Sequence, residues 1–270
     1  MTVRAQSEHS VAARLRAAGC VFAEEEARLL SATATTQDQL DALVQRRVSG
    51  LPLEHLLGWA EFCGLRIEVD AGVFVPRRRT EFLVRQAARL LGASPGAARA
   101  PVVVDLCCGS GAVGAALAAL AGPLELHASD IDPAAVACAA RNIAGYGGEV
   151  HEGDLYEALP GRLRGQVDIL AVNAPYVPSA EMANLPQEAR LYEPRVSLDG
   201  GKDGLHVQRQ VAAAARHWLA PGGSLLIETS RRQAPRTVDL FVRNGLTARA
   251  ANSAELGGTV VIGAAVAAAV

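Results

Sequence analysis

Lysine is nearly absent from the 270 residues: Lys202 is the only one, and the other basic side chains are arginine. Neither sign of charge dominates, with 26 basic against 28 acidic side chains and a net charge of −2. That balance argues against a protein held on a phosphate backbone by bulk electrostatics, so no stable nucleic-acid partner is expected. Cysteines are few and irregularly spaced. Cys20, Cys63, Cys107, Cys108 and Cys138 make neither a disulfide framework nor the paired Cys/His spacing of a zinc finger. No apolar stretch is long enough to span a bilayer, the tail GAAVAAAV included, and the first residues lack the apolar core of a secretion signal. The expectation is a reduced, cytoplasmic setting and no membrane partner. What is present is half apolar and one-fifth charged, enough for a substantial core, at 50% and 20%.

Along the chain the pattern divides in two. Residues 1 to about 60 read as helices, with Val11 to Ala18, Glu24 to Leu30, and Gln37 to Val48 carrying Leu40, Leu43, Val44 and Val48 on one face. Leu65, Ile67 and Val69 then alternate with polar neighbours, and Ala71-Gly72 turns into Val73-Phe74-Val75, which predicts a small hairpin. A helix from Thr80 to Leu91 and a loop of small residues, GASPGAARAP, follow. From Pro101 onward, strand, turn and helix repeat: strands at 102–104, 124–128, near Val150, 167–172, 224–228, 246–250 and 259–263. Such alternation predicts a mostly parallel, doubly wound sheet with its ligand at the C-terminal strand edge. The expected division is a helical domain with its hairpin over 1–75 and an α/β domain over 76–270.

The first strand of that sheet runs into Asp105-Leu106-Cys107-Cys108-Gly109-Ser110-Gly111 and on to Gly114. Glycines let the backbone approach a ligand closely, and the helix that follows turns free N–H groups to the same place. Gly109 to Gly114 spells G-x-G-x-x-G, a weak dinucleotide signal by itself. Asp105 changes its meaning, because a pyrophosphate wants N–H donors rather than a nearby carboxylate. S-adenosylmethionine carries an ammonium and a sulfonium and no phosphate, so an acid beside the loop suits it, directly or through water. Asp130, at the tip of the second strand, reads as the carboxylate for a ribose, and Asp132 as the cap of the helix opened by Pro133. Cys107 and Cys108 read as small filler residues rather than a redox pair.

The strand Val167 to Val172 ends in Asn173-Ala174-Pro175-Tyr176. The Asn173 side-chain oxygen and the Ala174 carbonyl can each accept one N–H of a planar NH2 group, with the Tyr176 ring against the conjugated plane. An ordinary Asn-x-Pro turn with Tyr176 in the core fits the tetrad alone equally well. The glycine loop one crossover earlier favours the receptor.

With these motifs in hand, the chain resembles the HemK/PrmC family of protein glutamine methyltransferases. The resemblance runs over Gly50 to His55, Glu61-Phe62, Val75-Pro76-Arg77 with Thr80-Glu81, Asp105 to Gly111 and Asp130. It continues through Gly153 to Tyr156, Asn173 to Tyr176, Glu193-Pro194, Gly200 to Leu205, Gly222-Gly223 and Glu228. It implies a class I S-adenosylmethionine-dependent methyltransferase domain, Rossmann-like and doubly wound, behind a small helical N-terminal domain that recognises substrate. It also implies that Asp154 and Leu155 join the cofactor-binding set of Asp105, Cys107, Cys108, Gly109, Ser110, Gly111, Asp130 and Asn173, with Asn173 to Tyr176 catalytic. The implied reaction is methyl transfer from S-adenosylmethionine to the side-chain amide nitrogen of a glutamine in a protein, a peptide-chain release factor or another. No histidine base is required, so His55, His127, His151, His206 and His217 read as structural or surface groups.

Two departures from the family pattern stand out. Ala174 replaces the first of two usual prolines, and Arg78-Arg79 replaces a proline and an acid. Together they point toward a protein target other than the usual release factor, with the arginines as a docking face for an acidic partner. Methylation of an exocyclic amine of nucleic acid or of a small biosynthetic molecule is the competing expectation.

Overall fold

The computed structural model describes residues 3–92 and 99–266, with side chains from residue 8. The centre of the small-residue loop, 93–98, and the last four residues of the apolar tail lie outside the described residues. Three helices open the chain: α1 (Val3–Ala17), α2 (Ala23–Thr33) and α3 (Gln37–Val48). Thr36 starts α3 as its cap, accepting from the Gln39 amide at 3.2 Å. Leu40, Leu43 and Val44 face inward as expected, but Val48 is exposed and its neighbour Arg47 is buried. The reason is charge pairing. Arg47 donates to buried Glu26 at 2.6 Å and to Glu188 at 2.5 Å, so the last turn rotates its guanidinium, not its valine, inward. With the short α4 (Leu53–Leu57), absent from the sequence expectation, these helices close a small core of their own from Val11 to Leu56.

The hairpin turn falls eight residues earlier than expected: β1 (Trp59–Phe62) pairs antiparallel with β2 (Leu65–Glu68). Its turn is Cys63-Gly64, both with positive φ, at 52° and 75°. That is the left-handed pair a two-residue turn needs, and a cysteine there carries little sequence signal. Ala60, Phe62, Ile67 and Val69 pack into the core of the α/β part rather than into the helical core.

A seven-stranded sheet follows, built on α5 (Glu81–Gly92), β3 (Val102–Leu106), α6 (Ala112–Ala121), β4 (Glu125–Asp130), α7 (Pro133–Ala144), β5 (Glu149–Glu152) and β6 (Val167–Val172). It is completed by α8 (Gln187–Tyr192), α9 (His206–Trp218), β7 (Leu219–Glu228), α10 (Ala234–Arg243), β8 (Leu246–Asn252) and β9 (Thr259–Ala265). The order is β5-β4-β3-β6-β7-β9-β8, and β9 runs antiparallel to both neighbours. All five residues of β3 are buried, which fits a central strand covered on both faces. Helices α5, α6 and α7 share one core with the hairpin, while α9 and α10 cover the other face. Each face of the sheet is thus closed, and β3 and β6 lie side by side in register from Val103↔Ile169 to Leu106↔Val172. The glycine loop and the Asn173 tetrad therefore leave the same edge of the sheet next to each other. Among the described residues no helix is long and apolar enough to cross a membrane.

Candidate functional site

A cavity of about 390 Å³ opens where β3, β4 and β6 end, a volume suited to a small-molecule ligand. Asp105, Cys107, Cys108, Gly109 and Ser110 form one wall, Asp130 and Asp154 with Leu155 a second, and Asn173 with Pro175 a third. The glycine loop is held by carboxylates at both ends. Asp105 accepts from the Gly114 amide at 2.8 Å, and a Cβ on Gly114 would stand 3.3 Å from that carboxylate oxygen. Asp130 accepts from Gly109 at 2.8 Å and from Asp132 at 3.0 Å. Gly111, at φ 74°, lets α6 lie against α7, since a Cβ would come to 3.0 Å from that of Ala139. Cys107 and Leu155 adopt positive φ, of 59° and 46°, so the backbone is strained on both sides of the cavity.

Burial disfavours charge here. It pushes the Asp105 carboxyl up to about 8, against the pull of the Gly114 hydrogen bond, and it raises Asp130 as well. The Cys107 and Cys108 thiols are driven well above their ordinary range, which fits packing residues rather than a redox pair. Asp132 caps α7 as expected, accepting from Ala134 at 2.9 Å.

The tetrad divides. Asn173 and Pro175 line the cavity, while the Ala174 side chain is 1% exposed and packs in the core beneath. Tyr176 turns away from the cavity. Its hydroxyl donates to Glu228 at 3.2 Å and its carbonyl accepts from Gln233 at 2.9 Å, so ring stacking at the cavity wall is not what this geometry offers. Gly111 stands behind the loop, outside the cavity lining.

The remaining wall went unassigned in the sequence. Phe74, Pro76 and Thr80 face Pro194, Val196 and Ser197, and His206 lies exposed at the rim. Arg77 clamps the two segments together by donating to Glu193 at 2.5 and 2.6 Å. Pro76, Thr80 and Pro194 lie in segments over which the chain resembles the family. Arg79 donates to Glu228, a carboxylate 1% exposed, at 3.2 Å. It therefore tethers the buried carboxylate, while both Arg78 and Arg79 remain exposed at the surface.

S-adenosylmethionine fits this donor set. Two carboxylates, Asp105 and Asp130, line the cavity as acceptors of the kind an ammonium and a ribose diol need, and among the described residues neither lysine nor arginine lines it to meet a phosphate. Two buried hydroxyls without a partner, Thr80 Oγ1 and Ser129 Oγ, belong to residues that line the same cavity.

Comparison with known proteins agrees. The Methyltransferase small domain family matches residues 65–189. A solved methyltransferase from Pyrococcus furiosus shares the fold at a TM-score of 0.55 and 16% identity, covering 82% of this chain and 98% of that one. A 4-amino-L-phenylalanine/4-methylamino-L-phenylalanine methyltransferase of Streptomyces pristinaespiralis is 36% identical over 75% of this chain and 66% of its own. The release factor glutamine methyltransferase of Geobacter sulfurreducens is 38% identical over 75% of this chain and 69% of its own. On that identity and coverage, the chain belongs to the family of release factor glutamine methyltransferases, enzymes that use S-adenosylmethionine.

Proposed function

We propose that the protein methylates the side-chain amide nitrogen of a glutamine in a peptide-chain release factor. The observation that carries this reading is Asn173, which reaches the same cavity as Asp105, the glycine loop and Asp130. When bound, S-adenosylmethionine supplies an electrophilic methyl carbon on its sulfonium. Asp105 would meet its ammonium and Asp130 its ribose hydroxyls, while Asp154 and Leu155 close the side of the pocket. An amide nitrogen is a poor nucleophile, because its lone pair is delocalised into the carbonyl. Asn173 and the Ala174 carbonyl would accept its two N–H groups, fix its line of approach and stabilise positive charge as it develops. The proton can leave after transfer, so His206 at the rim is not needed as a base. Tyr176 acts at one remove, holding the loop to Glu228 and Gln233.

Ala174 and Arg79 each have a role inside the fold and so need not mark a changed target, which favours a release factor over another protein. Arg79 compensates buried Glu228, and the Ala174 methyl sits in the core under the loop. The helical segment up to Leu57, tied to α8 through Arg47 and Glu188, is suited to hold the protein substrate over the cavity. A second reading, an amino group of a free aromatic amino acid, is favoured by the Streptomyces relative and by the apolar wall of Phe74, Pro76 and Val196. Side-by-side kcat/KM measurements on purified release factor and on free aromatic amines decide between them. Efficient turnover of release factor is expected. Turnover of the amines alone would overturn the reading.

A further inference from the structure

Outside the lining of the methyl-transfer cavity, two imidazoles and a carboxylate meet on the outer strands of the sheet. In the parallel pair β4 and β5, His127 stands opposite Glu149 and Ser129 opposite His151, so His127, Glu149 and His151 share one sheet face. His127 Nδ1 lies 3.1 Å from His151 Nε2 and 3.7 Å from Glu149 Oε2, and His151 Nε2 lies 3.9 Å from the same oxygen. Ligand atoms held tetrahedrally at 2.0–2.2 Å from zinc stand about 3.3–3.5 Å apart, so the observed triangle needs only small rotamer adjustments to enclose an ion. We infer that His127, His151 and Glu149 form a binding site for a divalent transition metal of the zinc class.

Two features support a site rather than a chance cluster. His127 is fully buried, and its Nε2 lies 3.0 Å from Glu125 Oε1. A carboxylate on the far nitrogen fixes the proton there and leaves Nδ1 with its lone pair toward the triangle, as metal-bound histidines commonly require. Arg162 approaches Glu149 through the other carboxylate oxygen, Oε1, at 3.4 Å, which leaves Oε2 turned to the imidazoles. Arg162 also lies 3.6 Å from Glu125 and, among the described residues, is the cation that would compete electrostatically with a bound ion. Three protein ligands leave a fourth position for water. The ion would pin the edge strand β5, which leads through Gly153 to Asp154 at the cofactor cavity. The inference stands apart from the methyl-transfer reading.

The test uses tag-free full-length protein stripped with chelator and titrated with Co2+ and Zn2+, followed by visible absorption and calorimetry. One equivalent per chain is expected, with a Co2+ ligand-field spectrum lacking thiolate charge transfer, since the cysteines lie elsewhere. Glu125→Gln should weaken binding by about 10–100-fold, the range for losing such an outer partner. His151→Ala and Glu149→Gln should weaken it at least as much, with methyl transfer retained, and Arg162→Ala should tighten it. No binding, binding as tight in His151→Ala as in the native protein, or a thiolate charge-transfer band would overturn the site.

Discussion

The carboxylate of Asp130 accepts a hydrogen bond from the Gly109 amide at 2.8 Å, joining the tip of β4 to the glycine loop that leaves β3. The residue suited to a ribose thus also sets the shape of the loop beside it.

Asp130→Ala removes both contributions. Loss of hydrogen bonds to a charged acceptor is expected to weaken S-adenosylmethionine binding by about 1.5–3 kcal/mol. Calorimetry checks this directly, and unchanged affinity would remove Asp130 from the ribose site.

Asp105 is expected to make binding depend on pH. Its carboxyl is pushed up to about 8 by burial, so most of it is protonated at neutral pH in the unliganded chain. An ammonium beside it favours the carboxylate and lowers that pKa, so binding expels a proton. Affinity should therefore rise from about pH 6 toward pH 8. Calorimetry in buffers of different ionisation enthalpy should register proton release near neutrality. Proton uptake would mean that the ammonium sits elsewhere.

Asn173→Ala should lower kcat on the order of 10²-fold or more while leaving cofactor affinity and folding largely intact, because its acceptor matters most as charge develops. A variant that turns over at a near-native rate would dissolve the amide-receptor assignment.

The two adjacent arginines should behave differently. Arg79→Ala strands the buried Glu228 carboxylate and is expected to cost on the order of 1–3 kcal/mol, less than a fully buried pair because Arg79 itself is half exposed. Exposed Arg78→Ala should change stability by no more than about 0.5 kcal/mol. Urea unfolding of both variants measures the contrast, and equal effects would argue against the Glu228 tether.

Much of this architecture was legible in the residues. Periodicity located every strand of the large sheet, and Asp105, Gly109, Asp130 and Asn173 announced a cavity because their chemistry is concentrated in short segments at strand ends. What stayed hidden depends on contacts across the chain. Val48 continues an apolar stripe, yet the Arg47–Glu26 pair decides which side chain turns inward. Tyr176 belongs to a tetrad that looks catalytic, but its partner Glu228 is contributed by β7, 52 residues away. Phe74 and Val196 become cavity walls only through the Arg77–Glu193 clamp, which spans 116 residues. His127 and His151, plain in sequence, meet because two parallel strands pair.

The central claim is that a side-chain amide nitrogen accepts the methyl group. The most direct test is fragmentation mass spectrometry of release factor after incubation with the enzyme and isotopically labelled S-adenosylmethionine. The account predicts a single labelled methyl on the side-chain nitrogen of one glutamine, absent with Asn173→Ala. A methyl found instead on a lysine, on a terminal amine or on no residue of the release factor would contradict it.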